Sequence, residues 1–515
     1  MDAERSAGEP GGTPRSWPTR LAVAAVVAAT AFFAWRAMLG LALLGWDSFP
    51  MIVAGRVHGP AGVLAAFGEE LMDGRYPLGH FWRPVAELAF ALDHAVWGLD
   101  AFGYHLTDLL LVALTGVLLA GTCARLFELS GAAARVAGLT AGLAWVLHPV
   151  HFEILTAPPR RAESLAVCFA VWALHAHSAA PRSPSVLRRA GVALCCALAL
   201  ASKEAGISAL VAVVLCSLCA AAPEPEGPLL RARRAAGATW VAVLATAATL
   251  GLRTAVLGGL GGSEQSSLWA GFANARPLLA EYARSVLVPP TVFGVPGNAV
   301  VWTALAVFVA LVGGFSRVAS PGEEGERSRR PGGFAFLALW SATLVAITGM
   351  SGIVQGWYAL PFVAVFALAL GLVAGRGLAA ARTRRWPAVP AAATVLAGLG
   401  VSLAGSGFFD PARDFQGASE LERAFLARFE RLVAGADPDT TVRIDNCPAE
   451  VWVARDGRFE RKIFVLGPYS LEAYAELALP GRPVRVSFPG LPSSLPPRPG
   501  EVRVVAVPRS LRFDR

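Results

Sequence analysis

Long apolar runs recur from residue 21 to about residue 406 of the 515-residue chain. Runs of roughly 17 to 25 residues are long enough to cross a hydrocarbon core of about 30 Å as a helix. Composition agrees, since 55% of the residues are hydrophobic and only 16% are charged, against roughly 25% charged in ordinary soluble domains. The predicted fold class is therefore an all-α polytopic membrane protein.

The runs predict about eleven transmembrane helices. They lie near 21–44, 104–122, 136–149, 164–180, 188–202, 205–222, 235–257, 297–316, 332–350, 356–375 and 387–406. With a cytoplasmic N-terminus, the short basic loops all fall on the inner side, as the positive-inside rule requires. Those loops carry Arg125, Arg135, Arg182, Arg188, Arg189, Arg231, Arg233, Arg234, Arg317, Arg327, Arg329, Arg330, Arg376, Arg382, Arg384 and Arg385. The net charge of +8 thus indicates membrane topology and no nucleic-acid partner.

Three regions follow from this topology. Residues 1–20 form a cytoplasmic tail, residues 21–406 the transmembrane domain, and residues 407–515 a small extracytoplasmic α+β domain. In that last region an amphipathic helix is followed by alternating stretches at 440–445, 450–454, 461–466, 483–488 and 501–507. The first outer segment, 45–103, is long and contains an amphipathic helix that lies at the interface or dips into it.

Ionisable residues gather on the predicted outer face. Groups of this kind cost several kcal/mol in a membrane bundle unless they are hydrated or paired, so they are functional candidates. They are Asp47, His80, Arg83, His148, His151, Glu153, Arg160, Arg161, Glu163, Lys203 and Glu204.

Several of these residues have a second interpretation. Asp47 follows Trp46, an expected interfacial anchor, and precedes Pro50, which limits how far the first helix continues; its carboxylate is either functional or the N-cap of the next element. Lys203 and Glu204 occupy a tight hairpin, where they either snorkel to solvent or bind a phosphate.

Arg83 either grips a phosphate with two donors or pairs with an acid. His148 and His151 have a spacing that suits a metal on one helical turn, but Pro149 breaks the helix between them. Glu153 pairs equally well with Arg160 or Arg161. Asp93, His94, His105 and Asp108 are expected to make structural hydrogen bonds.

Four stretches, in order along the chain, resemble polytopic glycosyltransferases of the GT-C class, especially O-mannosyltransferase-like proteins that often carry tetratricopeptide tails. They are "WRPVAELAFALDHAVWGLDAFGYHLTDLLLVAL", "LAWVLHPVHFEILTAPPRRAESLA", "LALASKEAGISAL" and "WYALPFVAVFALAL". Asp108 stands where the family usually has Asn, one Asp follows the first helix where a pair is common, and tetratricopeptide repeats are absent from the sequence.

The resemblance implies residue roles. Asp47 matches the family's catalytic carboxylate, and the substrate- and phosphate-binding candidates at or beside the other motif positions are Arg83, His148, His151, Glu153, Arg161, Lys203 and Glu204. The implied partners are a polyprenyl-phosphate sugar donor, an acceptor protein or glycan, and membrane lipid. The implied location is the bacterial inner membrane.

The implied reaction moves a sugar from the polyprenyl-phosphate carrier to an acceptor hydroxyl at the outer face. Asp47 would act as general base, cations would stabilise the leaving phosphate, and direct attack would invert the anomeric centre. No cofactor is required, and a divalent metal is left open. The alternatives are a lipid-carrier transporter or flippase, and an inactive relative whose outer tail is a binding module.

Overall fold

The computed structural model describes residues 17–56, 59–76, 79–179, 185–219, 227–259, 261–263, 275–317, 332–351, 355–381, 388–409, 412–435, 441–445, 448–455, 459–480, 485–487, 503–506 and 513–514. Most of the predicted tail 1–20 lies outside these residues. So do the loop arginines Arg182, Arg327, Arg329, Arg330, Arg382, Arg384 and Arg385.

Nineteen α-helices lie in the described part of the chain. They are α1 Trp17–Trp35, α2 Ser48–Ala54, α3 Gly59–Ala65, α4 Pro84–Trp97, α5 Ala101–Leu126, α6 Gly131–Val146, α7 His151–Leu155, α8 Arg161–Ser178, α9 Val186–Ser202, α10 Ser208–Cys219, α11 Pro228–Leu257, α12 Ala275–Leu287, α13 Pro290–Phe293, α14 Asn298–Ser316, α15 Gly332–Gly349, α16 Leu360–Ala381, α17 Ala388–Ala404, α18 Arg413–Ala434 and α19 Pro468–Ala478. Short 3-10 turns lie at Arg36–Gly40, Ala66–Gly68, Leu71–Gly74, Pro158–Arg160, Glu204–Ile207 and Gly356–Ala359.

Six of the described helices are long and apolar enough to cross a membrane. They are Pro18–Gly40, Ala101–Leu126, Pro228–Leu257, Asn298–Ser316, Gly332–Gly349 and Gly356–Ala381. The chain is thus a largely helical, multi-pass membrane protein. The count of eleven spans and the orientation of the termini stay predictions.

Helix α16 forms the centre of the bundle. Nearly all of its side chains are buried, and it packs on α6 and α5. Close approach depends on Gly371, where an added Cβ would lie 2.7 Å from the carbonyl oxygen of Ala137 and 2.5 Å from the sulfur of Cys123. Small residues at such contacts let helix backbones approach closely, which strengthens van der Waals packing in a membrane.

The predicted helix 21–44 ends earlier than expected. Helix α1 stops at Trp35, a 3-10 turn follows, and residues 41–44 have no helical structure although they are buried. Tertiary contacts replace the helical hydrogen bonds: the Ala42 amide donates to Ser419 Oγ at 3.0 Å, and its carbonyl bonds to His105 Nε2 at 3.0 Å. Because these partners are distant in sequence, the apolar run alone did not reveal the break.

The predicted outer loop 258–296 contains two helices, α12 and the short α13. The sequence of α12, "ARPLLAEYARSVL", is strongly amphipathic, so it lacks the uniform apolar run that marks a spanning helix. Its buried face includes Leu278 and Tyr282. The outer segment is therefore more structured than its sequence indicated.

The chain turns sharply between α9 and α10, at the Lys203–Glu204 hairpin. The Gly206 amide donates to the Lys203 carbonyl at 2.8 Å. An added Cβ at Gly206 would lie 1.9 Å from the carbonyl oxygen of Ala199, a distance that no side chain tolerates. Glycine at this position therefore permits the close turn that presents Lys203 and Glu204.

All five alternating stretches of the C-terminal region contain strands. The described strands are β1 Gly79–His80, β2 Gly262–Ser263, β3 Thr441–Asp445, β4 Glu450–Arg455, β5 Phe459–Phe464, β6 Arg485–Ser487, β7 Arg503–Ala506 and β8 Phe513–Asp514. They form an antiparallel β1–β2 pair and two three-stranded sheets, ordered β6-β3-β7 and β5-β4-β8. The β4–β5 pair is antiparallel, whereas β3 pairs with β6 and β7 in parallel. The division at residue 407 stays a prediction.

Replacing Gly206 with Ala should destabilise the protein by about 1–3 kcal/mol, because the added methyl group overlaps the Ala199 carbonyl. The measurement is the thermal unfolding midpoint of the purified protein in detergent. Gly191→Ala is the matched control, since Gly191 lies in α9 with nothing within 4 Å of an added Cβ. Its midpoint should stay level or rise slightly, because Ala favours a helix over Gly. Equal midpoints for the two variants would contradict the tight turn.

Candidate functional site

Asp47 lies immediately before α2 and is partly buried. It occupies the N-cap position of α2, as one interpretation expected, but its side chain makes no capping hydrogen bond. The carboxylate instead accepts a hydrogen bond from the hydroxyl of Tyr469, in α19. Burial raises the pKa of Asp47 above its usual range, and the Tyr469 hydrogen bond and the charges of Arg83 and Arg160 oppose that rise.

The residues around Asp47 also differ from expectation. The Trp46 indole N–H donates to the Ala449 carbonyl at 2.9 Å, and its ring packs edge-on against Phe464 at 5.3 Å. Trp46 therefore contacts the C-terminal region, and its role as an interfacial anchor stays a prediction. Pro50 lies in the first turn of α2, where proline is tolerated, and does not end the first helix.

Arg83 stands directly before α4, whose first residue is Pro84. Proline at this position starts a helix because its fixed backbone angle suits the first turn. The Arg83 guanidinium donates to both carboxylate oxygens of Glu204, at 3.4 and 3.0 Å. Arg253, in α11, donates to the same carboxylate at 3.0 Å. Glu204 therefore holds two arginines from different parts of the chain.

Lys203 forms an ion pair with Glu163 of α8. The lysine is only 8% exposed and the glutamate 2%. The Lys203 ammonium also lies 4.3 Å from the centre of the Tyr358 ring, a cation–π contact. The interpretation that Lys203 snorkels to solvent is therefore wrong.

The adjacent arginines Arg160 and Arg161 have different surroundings. Arg160 pairs with Glu153 at 3.1 Å, which settles the choice left open for Glu153, and stacks 3.9 Å above the Trp357 ring. Arg161 has no exposed surface and pairs with Asp93 at 2.6 Å and Asp108 at 2.5 Å. Full burial between two carboxylates favours a structural role for Arg161, and its phosphate-binding role stays a prediction.

The two histidines of "HPVH" bond to the backbone. His148 Nε2 bonds to the Val286 carbonyl at 3.0 Å, and its Nδ1 accepts from the Val150 amide at 3.2 Å. His151 Nε2 bonds to the Trp145 carbonyl at 2.8 Å, and both rings are fully buried. Within the described residues, no group of three or more His, Cys, Asp and Glu side chains could hold a metal ion. The substrate-binding role of these histidines stays a prediction.

Three of the residues expected to make structural hydrogen bonds do so, namely Asp93, His105 and Asp108. His105 bonds to the carbonyls of Leu155 at 2.9 Å and Ala42 at 3.0 Å. Asp93 accepts from Thr107 at 2.7 Å and pairs, like Asp108, with Arg161. These groups link elements of the bundle and are separate from the cluster around Asp47.

The charged groups of the segments predicted to lie outside form one electrostatic cluster. Asp47 interacts with Arg83 and Arg160, and Arg83 interacts with Glu163 as well as Glu204. Lys203 interacts in turn with Arg83 and with Glu204. The structure therefore brings together most of the charged residues predicted from the motifs.

Two members of this site, Arg253 and Tyr469, were missed by sequence reasoning. Arg253 is the one charged residue in the apolar part of α11, residues 235–257, and that isolation was a usable signal. Arg160 was named among the ionisable candidates of the predicted outer face, although the motif resemblance gave it no role. Tyr469 comes from a polar region 422 residues away from Asp47 along the chain, and no local pattern indicates it.

No family model matches the chain, and no curated protein matches it at a significant level. Two solved structures similar to it are crystal structures of ArnT from Cupriavidus metallidurans, one bound to undecaprenyl phosphate and one in the apo state. The bound structure is 14% identical with a TM-score of 0.47, over 84% of this chain and 83% of that chain. The apo structure is 15% identical with a TM-score of 0.46, over 83% and 82%.

Arg161→Met should destabilise the protein by about 3–5 kcal/mol, because it leaves two buried carboxylates without their cation. Arg160→Met is the adjacent control. It should lower the thermal unfolding midpoint much less, because the partner Glu153 side chain is 35% exposed and water can solvate it. Midpoints are measured in the same detergent. A larger loss for Arg160→Met would overturn the structural assignment of Arg161.

Proposed function

We propose that this protein transfers a sugar from a polyprenyl-phosphate donor to an acceptor hydroxyl at the outer face of the membrane. Asp47 is the general base of this reaction. The lipid tail of such a donor stays in the bilayer while its phosphosugar lies at the surface, so the catalytic group belongs at that boundary. The motif resemblance and the charged cluster around Asp47 support the proposal.

One observation carries it: Asp47 is hydrogen-bonded to a neutral hydroxyl, whereas the neighbouring acids are paired with cations. Glu204 is held by Arg83 and Arg253, and Glu163 by Lys203. A carboxylate held by a strong cation is a poor base, because the charge lowers its affinity for a proton. Burial raises the pKa of Asp47, whereas the pKa of Glu204 falls to about 2 because Arg83 and Arg253 outweigh its burial. Asp47 is therefore better suited than Glu204 to take a proton from an acceptor.

The cations beside Asp47 are suited to the leaving group. When the bond between the anomeric carbon and the phosphate oxygen breaks, negative charge grows on the polyprenyl phosphate. Arg83 can offer two donors to a phosphate, and Lys203 and Arg160 add positive charge nearby. Preorganised charges of this kind stabilise a transition state without reorganising during the reaction.

The stereochemical outcome follows from the number of carboxylates. The acceptor oxygen attacks the anomeric carbon as its proton moves to Asp47, and the bond to phosphate breaks on the opposite side. Retention would require a second carboxylate about 5 Å away as nucleophile. The charges acting on Asp47 are those of arginines, which supports a single base and inversion.

Asp47→Asn should reduce sugar transfer at least about 100-fold, because an amide cannot accept the proton. The assay follows labelled sugar from undecaprenyl-phosphate donors into acceptors of a membrane extract, with purified protein in proteoliposomes. Asp100→Asn is the matched control, since Asp100 caps α5 through the Phe102 amide at 3.0 Å and Asn caps equally well. It should keep full activity.

Full activity in a folded Asp47→Asn variant would disprove the role of Asp47. Movement of the labelled donor between leaflets without cleavage would instead identify a transporter. Binding without either event would identify an inactive relative. The released carrier lipid is therefore measured alongside the labelled acceptor.

Lys203→Gln should raise the KM for the donor several-fold and leave the KM for the acceptor nearly unchanged. In the proposed site, the positive charge that this substitution removes faces the phosphate of the donor. Lys203→Arg keeps the charge and should recover part of the donor affinity. An equal effect on both KM values would indicate that Lys203 only supports the fold through Glu163.

A further inference from the structure

The start of α19 lies directly against the loop that carries Asp47. Tyr469 is the second residue of that helix, and its hydroxyl donates to Asp47 Oδ1. The next residue, Ser470, donates through its hydroxyl to the carbonyl of Trp46. Gly467 lies so close that an added Cβ would be 2.9 Å from the Trp46 side chain. Two successive side chains of α19 therefore hold two successive residues of the loop.

Backbone contacts fix the same junction. The Gly45 amide donates to the Val465 carbonyl at 3.2 Å, and the Trp46 indole donates to the Ala449 carbonyl at 2.9 Å. The loop therefore bonds both to the residue that follows β5 and to the residue that precedes β4. These contacts align Tyr469 with Asp47. The junction between the loop and the C-terminal region is therefore held by several bonds besides that of the tyrosine.

A second set of contacts lies one helical turn farther along α19. The Tyr474 ring packs against Phe49 of α2 at 4.8 Å. Glu476 pairs with Arg75 at 3.1 Å and with Arg56 at 3.8 Å. The end of α19 thus contacts the segment that follows Asp47, while its start contacts Trp46 and Asp47 themselves.

We propose that the C-terminal segments 448–455 and 459–480 complete the active site, and that Tyr469 is a positioning residue for Asp47. The inference rests on the proposed function. Tyr469 holds Oδ1, which leaves Oδ2 to receive the acceptor proton, so the hydroxyl selects the oxygen that acts as base. The C-terminal region is then part of the catalytic machinery and not an independent binding module.

Other titratable groups also face Asp47. Arg83 from the start of α4 and Arg160 from the turn before α8 interact with it, as does Tyr76, which precedes β1. The arginines are charged throughout the accessible pH range, and tyrosines titrate near or above pH 10. The pKa of Glu163 in the same cluster is raised by burial as well. Because Tyr469 bonds to Asp47, a limb that moves with Tyr469→Phe reports the titration of Asp47.

Tyr469→Phe removes the hydrogen bond that stabilises the charged carboxylate, so the pKa of Asp47 should rise. A base works only when deprotonated, so activity should be lost at a higher pH. We expect the acidic limb of kcat to move upward by about one to two pH units. At pH values above the acidic limb of either enzyme, the kcat of Tyr469→Phe should stay within about threefold of that of the parent enzyme.

Tyr474→Phe is the matched control. It removes a hydroxyl that bonds to Glu430, keeps the ring against Phe49, and should leave the pH profile in place. Thermal unfolding midpoints of both variants show that the protein is folded. The assay uses the full chain with labelled undecaprenyl-phosphate sugar and a membrane extract as acceptor source.

The possible results separate this inference from the proposed function. A uniform drop of kcat at every pH, without a shift of the limb, would show that Tyr469 is only structural. An unchanged profile would also overturn the positioning role, while loss of transfer in Asp47→Asn would leave the proposed function standing. Full activity of Asp47→Asn would disprove the proposed function, regardless of the result for Tyr469→Phe.

Discussion

The buried pairing of Arg161 with Asp93 and Asp108 fixes much of the rest of the structure. It joins α8 to α4 and α5 at a point with no exposed arginine surface. A charge in such surroundings is tolerated only when it is paired. Because Arg160 precedes Arg161 and Glu163 follows it by two residues, the same contact sets the position of two residues in the cluster around Asp47.

The cluster itself is organised by the same constraint. Glu204 lies between Arg83 and Arg253, and Lys203 meets Glu163 beside Tyr358. Each pair joins elements from different parts of the chain, so satisfying the charges also assembles the site. The carboxylate of Asp47 differs from those of Glu163 and Glu204 because its hydrogen-bond partner is a neutral tyrosine hydroxyl and not a cation. That difference is the physical basis for assigning it the role of base.

The sequence predicted those features that a pattern within a single segment indicates. The apolar runs located most helices, and alternating residues located the strands of the C-terminal region. The charged residues Asp47, Arg83, Lys203 and Glu204 were identified because they interrupt or flank apolar stretches. Sequence reasoning failed where the outcome depended on distant partners: residues 41–44 are not helical because Ser419 and His105 satisfy the Ala42 backbone.

The sequence by itself determined a helical membrane protein, because long apolar segments have to be buried in lipid and charged residues collect at their ends. It also showed which ionisable residues interrupt or flank the apolar segments. Only the tertiary structure decided which charges pair, that Arg161 is enclosed, and that Tyr469 reaches Asp47 across 422 positions. Hydrogen bonds and ion pairs act over a few ångströms in space, and the folding of the chain alone brings such distant residues within that range.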